Sequence, residues 1–480
     1  MRLPVHDALG PTACDGESNT VTDRATTGPV QYGNRLLMVE NDLVGEVMWV
    51  RIWAAVVVLA GCGSVDDERA AAKSDDSQSS EGLDSADTEP IPTWHQDVAP
   101  IFSRSCDGCH APDGVGSPTW SSVEDVVEWA PVIRAAVEAR TMPPWKAKGD
   151  CSDYTGDVSL TDDEIDRIVR WAEGDAPLGD ATAAAALPDA WQPVSLERVD
   201  RTMRMVDLYT PESDAGPDDY RCFLMEWPEE ETVWVTGYEL LPGNTQVVHH
   251  IIPFLIEPSS ADAYRALDAA DADPGYRCYG GPGGNVDTLL ETRWLGAWAP
   301  GVPASVLPEG TGIKVEPGSL VVFQVHYNLI NGSAPDQSGL ALTIETEPQA
   351  FAEIQPLTDV RWVLGVGMDI PPESTSVSHS WSTTISSGFT MHNGSLHMHQ
   401  LGRAGRLWVE HADGTEDCLL EVDDYDFDWQ RPYELKEPVR VMPGDTIHLS
   451  CTWDNPTGDT VGWGDGTGDE MCLGVSLITG

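Results

Sequence analysis

Six side chains in the second half of this 480-residue chain have the chemistry of copper ligands: His249 and His250, His326, His397 and His399, and Met471. Imidazole suits copper, and a thioether favours Cu(I), the state that must meet oxygen. Two groups of three therefore point to two copper sites. Any one histidine is more often a core or surface residue than a ligand. Here five of the chain's 12 histidines fall in short strand-like segments, and that concentration favours metal binding. The first half adds Cys106-Asp107-Gly108-Cys109-His110, a C-x-x-C-H sequence that reads as covalent c-type haem attachment. Its two thiols are spaced to meet the porphyrin vinyls, with His110 then under the iron. The alternatives are a disulfide or a zinc half-site, and no second C-x-x-C exists to complete the latter. Met142, in Arg140-Thr141-Met142-Pro143-Pro144-Trp145, is the candidate sixth ligand, and a Met/His pair would raise the potential of the iron. His95 competes for that position, and Met142 as ordinary core is the plain alternative. Haem together with copper means redox chemistry.

Two kinds of scaffold must hold these residues. His397 and His399 lie two apart, so on a strand both side chains leave the same face. His249 and His250 are adjacent, which on a regular strand points them to opposite faces. To share one metal they need a bulge, a strong twist or a strand end. From about residue 200 the chain reads as short β-type runs separated by Gly, Pro, Asn and Asp, as in sandwiches. Around His326 the alternation sets Val321, Phe323, Val325 and Tyr327 on one face and Val322, Gln324, His326 and Asn328 on the other. From Trp94 to Gly179 the periodicity is helical instead. Ser122 to Arg140 is an expected helical stretch, bent or split at Pro131. Thr161-Asp162-Asp163-Glu164 is a capping box that starts a second helix, with Ile165, Ile168, Val169 and Ala172 on one face and Gly174 as its stop.

Before the helical region, Met48 to Ala60 is apolar but far shorter than the roughly 20 residues a spanning helix needs. It fits a secretory signal better, and Leu59-Ala60-Gly61-Cys62 resembles a bacterial lipobox in which Cys62 takes lipid. A chance apolar run is the alternative. The expected organisation is residues 1–62 as spurious leader plus lipoprotein signal peptide, 63–92 as a disordered acidic tether and 93–180 as the haem domain. A linker (181–199) and two β domains (200–349 and 350–480) follow. The formal net charge of -52, from 79 acidic and 27 basic residues, repels phosphate backbones and excludes nucleic acid as a partner. Membrane contact is expected only through the lipid anchor, at the periplasmic or cell-surface side. With Cys14 upstream, Cys62 lipidated and Cys106 and Cys109 on haem, six of the 10 cysteines remain in an oxidising compartment, and sequence alone leaves their pairing open.

The motifs, taken in order, resemble a known family. Val247-Val248-His249-His250, Phe323-Gln324-Val325-His326-Tyr327, His397-Met398-His399-Gln400-Leu401-Gly402 and Asp469-Glu470-Met471-Cys472 look like the four signatures of the copper type II, ascorbate-dependent monooxygenases. That family includes peptidylglycine α-hydroxylating and dopamine β-monooxygenases. Tyr220-Arg221-Cys222, Trp298-Ala299-Pro300-Gly301, Phe427-Asp428-Trp429-Gln430 and Gly444-Asp445 add to the match. Residues Trp94 to Gly179 resemble the small c-type cytochrome domains appended to exported bacterial oxidoreductases. The resemblance implies a mainly β fold: two jelly-roll-like β-sandwich domains facing across a solvent-filled cleft, here preceded by a small all-α cytochrome c-like domain. It implies an electron-transfer copper on His249, His250 and His326, and an oxygen-activating copper on His397, His399 and Met471. It also implies the disulfides Cys222–Cys278 and Cys451–Cys472, each worth about 3–4 kcal/mol by loop entropy. Cys151 and Cys418 have no implied partner; a mutual bridge would dock the haem domain on the second β domain.

The implied reaction is hydroxylation of a C–H bond in a small organic substrate by O2, with one oxygen atom leaving as water and two electrons consumed. Ascorbate supplies those electrons in the animal relatives. Here the attached haem, fed by a periplasmic donor, is expected to relay them to the His249/His250/His326 copper. The peptide-hydroxylating relatives hold a substrate carboxylate with an arginine and a tyrosine at positions occupied here by Ser395 and Val475. A less anionic or apolar substrate is therefore expected. The competing reading is a non-enzymatic exported copper-binding or electron-transfer lipoprotein, since copper carriers also use His and Met.

Overall fold

The computed structural model describes residues 89–112, 114, 116–189, 191–213, 216–284 and 292–480; the proposed lipidation site Cys62 lies outside them. The architecture is mainly β, with helices gathered at the start. Among the described residues no helix is long and apolar enough to cross a membrane.

The strand Leu320–Asn328, which carries His326, pairs antiparallel with Asp218–Glu226 on one side and with Val248–Ile256 on the other. In the second half, Phe389–His397 pairs antiparallel with Leu473–Thr479. These two strand groups are not separate sheets. Ala350–Leu357 pairs with Leu473–Thr479 and also bonds Arg293–Trp294 through Ile354 and Trp294, so ladder bonds cross the expected boundary at residue 350. A further four-stranded sheet (Ser374–Thr384, Thr446–Asn455, Gly402–Glu410, Glu416–Val422) backs the second half. Each half has its own apolar core, one around Phe323, Val325 and Ile251, the other around Leu407, Leu449 and Trp453.

Leu320–Asn328 departs from the half-buried strand its alternation suggests, because both its faces are covered. Val321, Phe323, Val325 and Tyr327 enter the main core, while Leu320 and Val322 join a smaller cluster with Cys222, Cys278 and Tyr264 of the helix Ala261–Ala270. The disulfide Cys222–Cys278 lies in that second layer.

The helical segment follows its sequence signals closely. Ser122 caps Val123–Glu138 through a reciprocal box with Asp125, and Thr161 does the same for Asp162–Glu173 with Glu164. Val123–Glu138 continues as one helix through Pro131 rather than splitting there. Ile168 and Trp171 pack against Val98 and Phe102 in a small core of their own. Between the last two helices the chain crosses to the second β half. Tyr154 bridges Leu435, the Thr155 amide donates to the Glu434 carbonyl at 2.8 Å, and Cys151 is disulfide-bonded to Cys418. Tyr154 and Ala147 are buried in the core of that half, so the docking is apolar as well as covalent.

Candidate metal centres

His249 and His250 solve their adjacency with a bulge. Val248 pairs with Tyr327 and His250 with His326, leaving His249 as the extra residue whose side chain turns to the same side. The Nδ1 atoms of His249 and His326 each lie 3.3 Å from Nδ1 of His250, and one ligand atom from each ring falls within 4.8 Å of the others. His326 Nε2 donates to Asp218 Oδ1 at 2.9 Å, which fixes the tautomer and leaves Nδ1 with its lone pair. Tyr220 stacks on the same ring at 4.1 Å. Burial lowers all three imidazoles: His249 to about 4, His250 well below its ordinary value, and His326 despite the opposing pull of Asp218. Burial pushes the Asp218 carboxyl up, but its bonds to His326 and Thr467 prevail and hold it near about 2. The group is thus three neutral imidazoles with a fixed anion behind one of them.

His397 and His399 are engaged through the opposite nitrogen. His397 Nδ1 contacts Gln430 Oε1, and His399 Nδ1 donates to the Asp469 carbonyl at 3.0 Å, so Nε2 is free on both rings. Their ring centroids are 5.1 Å apart. His397 pairs with Leu473, and carrying that register on by two residues sets Met471 opposite His399. Glu470, fully buried, ties the two segments together by accepting from the His399 and Leu401 amides (2.8 and 2.6 Å) and from Trp453 Nε1 (2.8 Å). The disulfide Cys451–Cys472 anchors the chain next to Met471. Burial again depresses the imidazoles, His397 to about 4 and His399 to about 3. Neutral imidazoles and a thioether, without a carboxylate among them, make a donor set that fits copper better than a hard cation.

Both groups open into one cavity of about 910 Å³, lined by all five histidines except His326 and by Met471, Trp298, Leu396 and Val475. The His250 and His397 rings approach to 6.1 Å, and Phe427 lies 5.0 Å from His249 and 5.9 Å from His399. The two halves are also latched beside the histidine groups. Asp218 accepts from the Thr467 hydroxyl (2.6 Å) and amide (3.1 Å), and the Tyr220 hydroxyl donates to the Asp465 carbonyl at 2.5 Å.

In the helical segment, Cys106 and Cys109 are free thiols while the other six described cysteines are paired. His110 Nδ1 donates to the Pro118 carbonyl at 2.6 Å, leaving Nε2 available, and Trp120 stacks on the ring at 4.4 Å. Two unpaired thiols and an oriented imidazole fit covalent haem. Met142 stands 42% exposed beyond the helix end. The residues that sequence reasoning did not assign are Asp218, Phe427, Gln430 and Glu470. The last three stand inside the motif segments; Asp218 lies two residues before Tyr220-Arg221-Cys222, and only the fold connects it to His326.

A mainly β protein has here two imidazole groups facing one cavity, one presenting Nδ1 and the other Nε2 beside a thioether, and their donor chemistry suits copper. Residues 362–475 match the family "Copper type II ascorbate-dependent monooxygenase, C-terminal domain". The chain is similar to tyramine beta-hydroxylase of Caenorhabditis briggsae, 24% identical over 57% of this chain and 48% of that protein. It is also similar to DBH-like monooxygenase protein 1 of Gallus gallus (27%; 59% and 47%) and to human dopamine beta-hydroxylase (28%; 53% and 42%). The chain thus carries, over residues 362–475, a match to the C-terminal domain of the copper type II ascorbate-dependent monooxygenases. It spans about half the length of the curated relatives it matches.

Proposed function

We propose that the protein is an exported copper-dependent monooxygenase that hydroxylates a C–H bond of a small organic substrate with O2. The observation that carries this reading is the pair of imidazole groups with opposite nitrogens free on a shared cavity wall. Bound copper would supply one-electron redox chemistry at each group, with His249, His250 and His326 holding one ion and His397, His399 and Met471 the other. The protein's part is orientation. The bulge at His249 and the carboxylate of Asp218 fix the first group, while Gln430, the Asp469 carbonyl and Glu470 fix the second. Phe254, Trp294, Trp298, Leu396 and Val475 give the cavity apolar walls that exclude water from an organic substrate. The three disulfides support an oxidising, extracytoplasmic compartment; a lipid anchor at Cys62 is part of the same reading.

The helical segment, residues 93–180, is proposed as a c-type cytochrome domain with haem on Cys106, Cys109 and His110 and Met142 as sixth ligand. A haem there would supply one electron at a time, in place of or beside ascorbate. Its docking through Cys151–Cys418 supports delivery toward the second β half, the side of His397, rather than toward the His249 group that domain order alone suggests. Residues 200–349 and 350–480 are proposed as the two jelly-roll-like halves of the monooxygenase.

The test is hydroxylation under ¹⁸O2 with ascorbate as donor across a panel of small organic compounds. One labelled atom in the product, lost in Met471→Ala, is expected. Copper-loaded protein that cycles its metal yet labels no compound would leave the electron-carrier reading in its place.

A further inference from the structure

Arg431 is the only guanidinium among the described residues that lines the shared cavity. It directly follows Gln430, the partner of His397. Its guanidinium lies over three rings drawn from three parts of the chain: Trp145 (5.5 Å), Trp191 (5.8 Å) and Tyr433 (5.9 Å). Its Nε is buried without a hydrogen-bond partner, and the side chain forms no ion pair among the described residues. This is unusual in a chain with 79 acidic residues against 27 basic ones. By contrast Arg221, 1% exposed, is held by Asp271 and two carbonyls. The neighbouring carboxyl, Glu434, is bonded to Asn393 at 2.8 Å, and burial pushes it toward the neutral form. A desolvated cation with open donors is costly unless an anion completes it.

We propose that Arg431 is a carboxylate anchor at the cavity wall, selecting an organic acid whose apolar body lies along the cavity toward His397. The proposal rests on the reading of this cavity as the substrate site. It replaces the expectation of a non-anionic substrate: Ser395 and Val475 do line the cavity, but the cation enters from the segment before Tyr433–Val441 instead. A carboxylate could also come from within, as a propionate of the proposed haem. Trp191, which stacks on Arg431, packs so tightly on Gly108 of the C-x-x-C-H sequence that a Cβ there would meet its carbonyl at 2.1 Å.

The experiment compares binding of 3-phenylpropanoate and its neutral amide, by calorimetry, to the copper-loaded full chain. The hosts are the parent, Arg431→Lys and Arg431→Met, each with the C-x-x-C-H cysteines intact and as Cys106→Ala/Cys109→Ala, with melting temperature as the folding control. The acid should bind about tenfold tighter than the amide, a charge-assisted difference lost in Arg431→Met and partly kept in Arg431→Lys. Preference in the haem-loaded chain assigns the anchor to a cavity ligand. Preference only in the cysteine double variant, with a haem midpoint potential that shifts in Arg431→Met, assigns it to the propionate. No acid preference in any host, with an unchanged midpoint potential, overturns the proposal. Copper content and ¹⁸O labelling report on the monooxygenase reading separately, so the two can fail independently.

Discussion

Asp218 offers the sharpest test of how the first histidine group is held. Its carboxylate accepts from His326 Nε2 and from Thr467 on the other half of the protein, while His326 is only 2% exposed. Asp218→Ala removes all three bonds and leaves a buried ring N–H without an acceptor, at a cost of about 1–3 kcal/mol to the metal-free fold. The freed ring can also rotate, and losing the orienting partner of a metal-binding histidine costs about 10–100-fold in affinity. Asp218→Asn separates the two effects. Its amide oxygen can still accept from His326, but its NH2 then faces the Thr467 amide, donor against donor. The alanine variant should weaken one of two Cu(I) sites in a competition titration against a chromophoric chelator. The asparagine variant should keep most of that affinity while losing stability in a thermal melt. Thr467→Val should resemble the asparagine variant. Equal copper affinity in all four proteins would refute the claim that Asp218 orients His326.

Other perturbations have equally definite outcomes. Glu470→Ala strands three buried donors and should destabilise the fold by at least about 3 kcal/mol in denaturant titration, with Glu470→Gln recovering part of it. Replacing Cys151 and Cys418 together by serine should cost about 2–5 kcal/mol, and protease should then cut first between residues 143 and 157, where the chain crosses to the second half. His411 lies between Asp445 (2.9 Å) and Asp417 (2.8 Å), and these bonds raise its pKa. A raised pKa stabilises the fold below the ordinary histidine value, and that stability is lost as pH rises through the folded pKa. His411→Gln should therefore cost about 0.5 kcal/mol in acid melts and nothing measurable at pH 9.

Much of this arrangement is legible along the chain, and the exceptions share a cause. The helix starts at Ser122 and Thr161 follow from capping chemistry, which is local. The bulge at His249 follows from the demand that two adjacent histidines face one way. What cannot be read locally is whatever depends on pairing distant strands. Asp218 reaches His326 only because Asp218–Glu226 pairs with Leu320–Asn328, setting Tyr220 opposite His326. The second buried face of Leu320–Asn328 exists because the helix Ala261–Ala270 and the Cys222–Cys278 bridge cover it. Arg431 is silent in sequence for the same reason, since lacking an anion is a property of the folded surroundings. The proposed route from a haem to copper is a matter of docking. Domain order points to the His249 group, while the contacts of Tyr154 and Thr155 lead to the strand that begins at Tyr433, next to Gln430 and His397, and Cys151 is tied to Cys418 on Glu416–Val422.

The central claim is two copper sites, one on each histidine group, and the most direct measurement is copper content of the folded full chain by elemental analysis. The account predicts two copper ions per chain, falling to one in His249→Ala/His250→Ala and to one in His397→Ala/His399→Ala, with the fold retained. One ion or none in the folded parent protein, or the same content in both variants as in the parent, would contradict it.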